Sequence, residues 1–137
     1  MATQRTALVT GSTSGIGKAI ALKLASEGYA VVINGFGDAS TIDALKTEIG
    51  KLNGGKVHYS AADLTKPDQI AIMCTEAEAA LGPVSVLVNN AGTQFVSPIE
   101  EFPLEKWDLI IALNLSAAFH TTKALLPGMK ARKFGRI

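Results

Sequence analysis

A glycine-rich turn between a predicted strand and a predicted helix constrains this chain more than any other feature. The apolar run Ala7–Thr10 leads into GSTSGIG at residues 11–17, and a helical pattern follows from Lys18. The first turn of a helix has free N–H groups and a partial positive charge, so an anion binds there favourably. Glycine lets the backbone approach such a ligand because it carries no Cβ. The turn therefore predicts a phosphate-binding site at the start of an α/β domain.

The spacing of the glycines bears on which nucleotide the turn would hold. It is G-x-x-x-G-x-G rather than the G-x-G-x-x-G of the common dinucleotide fingerprint, and the Gly-Lys-Ser/Thr ending of a nucleoside triphosphate loop is missing. Many α/β proteins use a glycine-rich turn only to redirect the chain. The position of this one, between a first strand and an amphipathic helix, favours the cofactor interpretation over the purely structural one.

Four short apolar runs alternate with helical patterns along the chain. The runs are almost unbroken, as expected for strands that are buried on both faces of a parallel sheet. They lie at Ala7–Thr10, Ala30–Asn34, Val57–Ala61 and Val84–Asn89. Alternation of this kind implies right-handed crossovers between parallel strands. The predicted fold is a doubly wound parallel sheet of the Rossmann type, with three layers in the order α/β/α.

Helical periodicity and boundary residues predict four helices. The first contains Ile16, Ile20 and Leu24 at four-residue intervals and ends at Gly28. The others are a helix with Ile42, Leu45 and Ile49 that Ser40 and Asp43 cap as a pair, a helix from Thr65, Pro67 and Asp68 to Gly82-Pro83, and a long helix from Pro103 past Asn114 towards Pro127.

The segment Phe134–Ile137 has the composition of a turn followed by the first residue of a fifth strand. A strand that is cut off as it enters a sheet leaves its neighbours without hydrogen-bond partners. We therefore expect residues 1–137 to be the N-terminal part of a single dinucleotide-binding domain that is incomplete at its C-terminus.

Composition argues against several classes of protein. Hydrophobic residues make up 47% and charged residues 18%, which is typical of a globular domain rather than a disordered chain. The net charge of +1 and the lack of a basic tract argue against nucleic acid as a partner. The densest positive stretch is interpreted as the solvated end of a helix; it contains Lys130, Arg132, Lys133 and Arg136.

Particular residue types bear on compartment and metal binding. Cys74 is the only cysteine, so no internal disulfide forms and a reducing compartment is suitable. No apolar stretch is expected to reach the length of a membrane span, and residues 1–6 resemble no signal peptide. His58 and His120 have no carboxylate or cysteine at ligand spacing, so no metal site is expected. We predict a soluble, cytoplasmic protein.

A second motif, Asn89-Asn90-Ala91-Gly92, follows the fourth predicted strand. Ligands of open α/β sheets bind at the carboxyl ends of the strands, and this motif lies at that edge. The asparagines can satisfy backbone groups where strands diverge, while Ala91 and Gly92 leave room for a flat ring or a ribose. Taken alone, the motif is equally compatible with a simple turn.

Together these motifs resemble the short-chain dehydrogenase/reductase family. Thr10-Gly11-x-x-x-Gly15-Ile16-Gly17, Asp63-Leu64, Asn89-Asn90-Ala91-Gly92 and Asn114-Leu115 occur in the order and spacing of that family, across essentially the whole chain. The resemblance implies an oxidoreductase that binds a nicotinamide dinucleotide.

The resemblance also implies a role for particular residues. Asp63 would accept a hydrogen bond from the adenine amino group, and Leu64 would line the adenine pocket. Asn114 would be catalytic and would support a water in the proton relay; alternatively, it hydrogen-bonds within a bent helix. The other implied cofactor contacts are the pyrophosphate turn at Gly11, Thr13, Ser14, Gly15, Ile16 and Gly17, the nicotinamide ribose at Asn90, Ala91 and Gly92, and Leu113.

The end of the second predicted strand bears on the choice of cofactor. NADP-preferring relatives need Arg or Lys there to meet a 2′-phosphate, and none is present between Ile33 and Thr41. Many NAD-dependent relatives carry Asp at this strand end, where this chain has Gly35 and Phe36. The absence of positive charge therefore favours NAD. Phe36 either covers the adenosine or packs on the neighbouring loop.

Two stretches narrow the resemblance to the branch of the family that oxidises D-3-hydroxybutyrate, namely residues 34–38 and 92–95. In that branch the glutamine matching Gln94 donates its amide N–H to the substrate carboxylate; the alternative is a surface glutamine on a loop. The implied reaction is hydride transfer between NAD and D-3-hydroxybutyrate or acetoacetate. Two alternatives are an NADPH-dependent 3-oxoacyl thioester reductase and a non-catalytic NAD-binding module.

The resemblance places the family's catalytic serine and Tyr-x-x-x-Lys pair after the fifth strand, beyond Ile137. Tyr29 and Tyr59 are the only tyrosines, and neither is followed by lysine four residues later. We therefore expect the 137-residue chain alone to be inactive. The long helix of this family pairs with its copy in another subunit, and its surplus of apolar residues here favours a homo-oligomer. The resemblance implies a homotetramer.

Overall fold

Four parallel strands form one sheet in the order β3-β2-β1-β4. The computed structural model describes residues 3–137. The order reverses direction at β1, with β2 on one side and β4 on the other, which makes the β1–β4 edge a topological switch point. The strands are β1 (Thr6–Val9), β2 (Ala30–Asn34), β3 (Val57–Ser60) and β4 (Val84–Val88).

Helices connect the strands and cover both faces of the sheet. The last two, joined by a π-helical turn at Ala112–Ser116, form one continuous helix over Leu104–Ala131. A 3-10 turn at Ile99–Glu101 precedes them. The helices are α1 (Gly15–Ser26), α2 (Ala39–Asn53), α3 (Pro67–Leu81), α4 (Leu104–Ile111) and α5 (Ala117–Ala131).

Each face of the sheet carries its own apolar core, because successive strand residues point to opposite sides. On one face, Val9, Val31 and Ile33 pack against α1 and α2. On the other, Leu8, Val32 and Leu87 pack against α3 and α5. The expected three-layer, doubly wound Rossmann architecture is confirmed.

The strands confirm the predicted positions, but three of them end one residue earlier than expected. Thr10, Ala61 and Asn89 lie just beyond the last residues of β1, β3 and β4. Thr10 and Asn89 instead belong to the hydrogen-bonded edge described below. The predicted fifth strand is present as one parallel bridge between Val86 and Arg136, in which the Leu87 N–H donates to the Arg136 carbonyl at 2.9 Å.

Two details of the helices differ from prediction. The N-cap of α2 is Asp38, not the pair Ser40 and Asp43, because the Asp38 carboxylate accepts from the Thr41 N–H at 2.8 Å. The buried stripe of α1 is Gly17, Ala21 and Ala25 rather than the stripe through Ile16. Small residues let α1 lie close to the sheet, and the side chain of Ile16 is 76% exposed.

The long helix corrects the expectation that no apolar stretch reaches the length of a membrane span. Leu104–Ala131 is long and apolar enough, by length and composition alone, to cross a membrane, whereas no such stretch was expected. Its inner side holds Ala117, Leu125 and Met129 in the core against α3 and the sheet. Its outer side is apolar and uncovered within residues 3–137, with exposed Leu104, Trp107, Leu115, Phe119 and Leu126.

Candidate functional site

A cleft of about 510 Å³ opens at the carboxyl ends of the strands, on the switch-point side of the sheet. Open α/β sheets bind ligands at this edge. Five chain segments meet there: the glycine turn after β1, the end of β2, the loop after β3, the loop after β4, and the long helix. The lining residues are Gly11, Thr13, Ser14, Asn34, Gly35, Phe36, Ala62, Asp63, Leu64, Thr65, Asn90, Ala91, Gly92, Leu109 and Leu113. We call this the nucleotide cleft.

Thr10 and Asn90 tie the two predicted motifs together. The Thr10 hydroxyl accepts hydrogen bonds from the N–H groups of Asn90 and Ala91, each at 3.0 Å. The Asn90 side-chain amide donates back to the carbonyls of Thr10 and Gly11, again at 3.0 Å. Asn89 accepts from the Thr121 hydroxyl of α5 at 2.6 Å. Asn90 therefore satisfies backbone groups at the diverging strand ends, as expected, whereas the side chain of Asn89 bonds to a side chain of the helix instead.

Two glycines of the turn are required by close packing. A Cβ on Gly17 would lie 2.3 Å from the Gly11 carbonyl oxygen and 2.4 Å from the Asn90 side-chain nitrogen. A Cβ on Gly11 would lie 2.8 Å from the Cα of Ala91. The backbone of the turn thus lies directly against the Asn90–Ala91 segment, and neither position has room for a side chain.

Gly15 is required for a different reason. Its φ of +58° favours glycine, yet no atom lies within 4 Å of where its Cβ would be. This open space adjoins the first turn of α1. The N-cap Ser14 makes no side-chain capping hydrogen bond there, and the turn contains no acidic residue. Free N–H groups without a competing carboxylate fit a bound phosphate group.

Asn34 joins the strand ends that line the nucleotide cleft and is the main lining residue absent from the predicted site. Its side chain is buried, accepts from the Gly11 N–H at 3.2 Å, and donates to the carbonyls of Ser60 and Ala62 at 3.2 and 3.1 Å. One side chain thereby fixes the ends of β1, β2 and β3. A polar residue that ends an otherwise apolar strand was the available signal.

The predicted adenine-side residues lie where the loop after β3 enters the nucleotide cleft. One Asp63 carboxylate oxygen accepts from both the hydroxyl and the N–H of Thr65, at 2.7 and 2.9 Å. These hydrogen bonds, with the charge of Lys66, hold the pKa of Asp63 below its usual value despite some desolvation. Asp63 is therefore an ionised acceptor at neutral pH, and the buried Leu64 lies beside it.

Phe36 stands at the edge of the nucleotide cleft with 72% of its surface exposed. Its carbonyl accepts from the Thr13 hydroxyl at 3.0 Å, which links this loop to the glycine turn. The carbonyl of Gly35 accepts from the Tyr59 hydroxyl at 2.6 Å. Hydrogen bonds from Ser40 and Thr41 lower the pKa of Asp38 to about 2, so the loop carries a negative charge and no positive one.

The substrate-side residues are positioned by the π-helical turn. Asn114 accepts from the Thr93 N–H at 2.9 Å and donates to the Thr93 carbonyl at 2.8 Å. Both ends of its amide are therefore engaged in holding the loop that carries Gln94. Gln94 is exposed, outside the lining of the nucleotide cleft.

The nucleotide cleft brings together most, but not all, of the predicted cofactor residues. Gly15, Ile16 and Gly17 do not line it: Gly17 is buried in the turn, and the side chain of Ile16 points away into solvent. Within residues 3–137, no group of three or more His, Cys, Asp or Glu side chains is placed to hold a metal ion. Sequence analysis missed the lining residues Asn34, Gly35, Ala62, Thr65 and Leu109.

Comparison with known proteins assigns the family. A family model described as short chain dehydrogenase matches residues 5–137. The chain belongs to this family. A solved structure of a metagenomic short-chain oxidoreductase in complex with NADP superposes with a TM-score of 0.87 at 41% identity, covering 96% of this chain and 59% of that one. Short-chain dehydrogenases bind nicotinamide cofactors, which agrees with the geometry of the nucleotide cleft.

Curated relatives with high identity include two D-beta-hydroxybutyrate dehydrogenases. That of Cupriavidus necator is 53% identical over 134 residues, which cover 97% of this chain and 51% of the relative. That of Rhizobium meliloti is 50% identical over 133 residues, covering 97% and 52%. The chain thus spans about half the length of these relatives. The predicted similarity to the hydroxybutyrate branch is confirmed at the level of sequence.

Proposed function

We propose that the whole protein is an NAD-dependent short-chain dehydrogenase that interconverts D-3-hydroxybutyrate and acetoacetate. One observation carries the proposal. The nucleotide cleft and the adjoining Gln94 loop occur in a chain whose relatives at 50–53% identity are D-beta-hydroxybutyrate dehydrogenases. The acid–base residues implied by the family resemblance would follow Ile137, so we propose that residues 1–137 alone catalyse no turnover.

The residues of this chain bind and orient rather than transfer protons. The first turn of α1 and the backbone at Gly15 would hold the pyrophosphate, and Asp63 would accept from the adenine amino group through an oxygen that Thr65 leaves free. Asn90 keeps the nicotinamide end of the nucleotide cleft rigid through its bonds to Thr10 and Gly11. When bound, the cofactor supplies the carbon that accepts or gives the hydride.

Neither tyrosine of the chain is available as the proton-transferring group. The Tyr59 hydroxyl donates to the Gly35 carbonyl, and Tyr29 lies in a separate cleft at the opposite end of the sheet. Asn114 lies beside the substrate-side loop with both amide atoms engaged, so its contribution is to position Thr93 and its neighbours. These bonds reach the loop at Thr93 rather than another residue of the helix, so they differ from the alternative in which Asn114 hydrogen-bonds within a bent helix.

The preference for NAD over NADP rests on charge at the end of β2. A 2′-phosphate there would meet no lysine or arginine between Ile33 and Thr41, but would meet the ionised Asp38 in the same loop. The NADP complex of a relative at 41% identity makes the alternative worth testing. We expect NAD to bind the whole protein at least about tenfold more tightly than NADP, a difference of about 1.4 kcal/mol.

Calorimetry with NAD and NADP tests this preference. Phe36→Arg adds a guanidinium at an exposed site and should bring the affinity for NADP closer to the affinity for NAD, because arginine binds phosphate through paired hydrogen bonds. Phe36→Leu is the matched control and should leave the ratio unchanged. Equal affinity of the parent protein for the two cofactors would contradict the assignment of NAD.

Gln94 is proposed to bind the substrate carboxylate. Its amide is exposed on the loop held by Asn114, and within residues 3–137 no hydrogen bond engages it. Gln94→Ala would remove a hydrogen bond to a charged group, worth about 1.5–3 kcal/mol. We expect roughly a ten- to hundredfold loss in kcat/KM for 3-hydroxybutyrate, with NAD affinity unchanged.

The control for Gln94 uses the same loop and a second substrate. Val96→Ala trims a side chain that is 90% exposed and should leave kcat/KM unchanged. An alkyl alcohol without a carboxylate should be turned over equally by the parent and by Gln94→Ala. Equal losses on charged and uncharged substrates would mean that Gln94 only shapes the loop, and the hydroxybutyrate assignment would lose its local support.

Two alternatives are separated by the same assays. A 3-oxoacyl thioester reductase would prefer NADPH, would turn over thioesters, and would be insensitive to Gln94→Ala because its substrate presents no free carboxylate. A non-catalytic module would bind NAD without turnover of any of these substrates.

The outer side of the long helix supports a proposal of self-association. Trp107, Leu115 and Phe119 are exposed on it, so a second copy of this helix would cover apolar surface. We propose a homotetramer in the cytoplasm, where the single buried thiol of Cys74 stays reduced. Sedimentation of the whole protein measures the oligomeric state; a monomer would contradict this part of the proposal.

A further inference from the structure

A second and larger cleft lies at the other end of the sheet, where the strands begin. It has a volume of about 710 Å³, against about 510 Å³ for the nucleotide cleft. Segments that precede β1, β2 and β4 form its walls, together with the turn after α5. The lining residues are Thr3, Gln4, Arg5, Glu27, Gly28, Tyr29, Pro83, Ser85, Arg132 and Phe134. We call it the basal cleft.

The basal cleft has an excess of positive charge. Arg5 and Arg132 line it, and neither has a carboxylate within ion-pair distance among residues 3–137. Its only acidic side chain, Glu27, is already paired with Lys23 four residues earlier on α1, and this pairing lowers the pKa of Glu27. Two arginines therefore line one cavity without a neutralising carboxylate among residues 3–137.

Contacts within the chain hold these arginines in place. The Arg5 guanidinium carbon lies 3.6 Å from the centroid of the Phe134 ring, and that of Arg136 lies 5.1 Å from the same centroid. Arg132 donates to the Val84 carbonyl at 2.8 Å, which leaves its other N–H groups available. Stacking and hydrogen bonding reduce the rotamer freedom that an arginine would lose on binding a ligand.

We propose that the basal cleft binds a small anionic molecule, one that carries a phosphate or carboxylate group. Planar guanidinium groups bind such oxyanions through paired hydrogen bonds, and the half-buried Phe134 offers an apolar surface beside them. The basal cleft is separate from the nucleotide cleft because it lies at the opposite ends of the same strands. The proposal is independent of the function proposed above.

The fold is what makes this site visible. From sequence, Arg132 and Arg136 belong to a basic stretch that we interpreted as the solvated end of a helix. The structure brings Arg5, from the other end of the chain, onto the same aromatic ring as Arg136. A local run of charge therefore becomes part of a concave site with contributions from distant segments.

Crystals of the full chain soaked in sodium tungstate test the location directly, because tungstate mimics phosphate and scatters anomalously. We expect an anomalous peak within hydrogen-bond distance of Arg5 or Arg132. A peak confined to the glycine turn, or no peak in the basal cleft at a tungstate concentration that fills the glycine turn, would overturn the proposal.

Calorimetric titration with pyrophosphate tests the residues. Arg5→Gln and Arg132→Gln should each weaken the basal component of binding about tenfold or more, the effect of removing a hydrogen bond to a charged group. Lys51→Gln, which removes an exposed cation from α2, is the matched control and should change nothing. Unchanged binding by both arginine variants would overturn the proposal.

One variant carries a risk that the other avoids. Arg132→Gln also removes the bond to Val84 and can disturb the fold, so its circular dichroism and thermal midpoint are compared with those of the parent. Arg5 makes no hydrogen bond through its side chain within residues 3–137, and Arg5→Lys keeps its charge while losing the planar fork. We expect Arg5→Lys to bind pyrophosphate more weakly than the parent and more tightly than Arg5→Gln.

Discussion

The strand ends that form the nucleotide cleft and the neighbouring loop at residues 93–101 are built in opposite ways. At the strand ends, Asn34, Thr10 and Asn90 are hydrogen-bonded to backbone groups of several segments, and Gly11 and Gly17 of the glycine turn have no room for a side chain. In the loop at residues 93–101, the hydrogen bonds to other described residues are those of Thr93 with Asn114 and one from the adjoining Phe102 N–H to the Ile99 carbonyl. Val96 and Ile99 in that loop are 90% and 81% exposed.

The difference separates a region that several long-range hydrogen bonds hold in place from a loop whose side chains are largely exposed. The geometry of the strand ends is determined by contacts within residues 3–137. The loop at residues 93–101 instead leaves apolar side chains exposed among the described residues. We expect substitutions at the strand ends to change both the free energy of unfolding and the affinity for cofactor. Substitutions in the loop at residues 93–101 should change the loop alone.

Gly17→Val should have the largest effect. The added side chain would collide with the Gly11 carbonyl and the Asn90 amide, so we expect a loss of about 3 kcal/mol in the free energy of unfolding, at the upper end for overpacking. Cofactor binding should be lost with it. Urea unfolding and calorimetry of the whole protein measure the two quantities.

Gly15→Val is the matched control for that substitution. Its side chain would enter open space with a φ of +58°, so we expect a smaller stability loss of about 1–2 kcal/mol from backbone strain. It should nevertheless abolish cofactor binding, because the side chain would occupy the phosphate position. Cofactor affinity within a few-fold of the parent would show that the turn is merely structural.

Asn114→Ala should have an intermediate effect that is confined to the loop. Two hydrogen bonds to Thr93 are lost at an exposed site, which should cost about 1 kcal/mol. Hydrogen exchange of the Thr93 amide should accelerate, while that of the Ser12 amide, bonded to Asn34 at 2.6 Å, should not.

Asn114→Asp is the comparison variant, because it keeps an acceptor for the Thr93 N–H and loses the donor to the Thr93 carbonyl. It should protect the Thr93 amide better than alanine does. Faster exchange of the Ser12 amide in Asn114→Ala would mean that the loop and the strand ends are mechanically coupled rather than independent regions.

The smallest effect should come from Asp38, and it should depend on pH. The folded-state pKa of about 2 lies below the usual 3.8, so the ionised carboxylate stabilises the folded state. This stabilisation is fully present above pH 3.8 and is lost as the pH falls towards 2. The thermal midpoint of Asp38→Ala should therefore fall below that of the parent at neutral pH and approach it near pH 2.

Asp38→Asn separates capping from charge. Asparagine also accepts from the Thr41 N–H, so the variant should keep most of the stability at neutral pH without the acid transition. An equal difference between Asp38→Ala and the parent at all pH values would mean that the carboxylate does not contribute through its charge.

Strand positions and the glycine turn could be predicted because the signals are local. Apolar runs and helix periodicity follow from burial, which affects every residue of an element. The buried stripe of α1 could not be predicted from the larger apolar residues, because the close approach of α1 to the sheet selects Gly17 and Ala21 instead. The predicted N-cap of α2 was also wrong, because Asp38, Ser40 and Asp43 are all residue types that cap helices and the sequence alone does not choose between them.

The residues that join separate strand ends, such as Asn34, were harder to predict than the glycine turn. Asn34 acts through hydrogen bonds to partners that lie between 23 and 28 positions away in the sequence, and no pattern near Asn34 indicates those partners. The π-helical turn at Ala112–Ser116 likewise gives no period in the sequence. Residues that match a family motif were found from the resemblance, whereas residues that complete the geometry from other strands became visible only in three dimensions.

The interlock between the glycine turn and Asn90 also bears on the order of events in folding. The bonds from Asn90 to Thr10 and Gly11 span 80 and 79 positions of the chain. Closing so long a segment is slow compared with forming a helix or a neighbouring turn. The turn therefore acquires its final shape only after β4 has docked beside β1. A nascent chain that has formed only β1, α1 and β2 would contain the glycine turn without its hydrogen bonds to Asn90. We therefore expect such a chain to bind a nucleotide weakly until β4 has paired with β1.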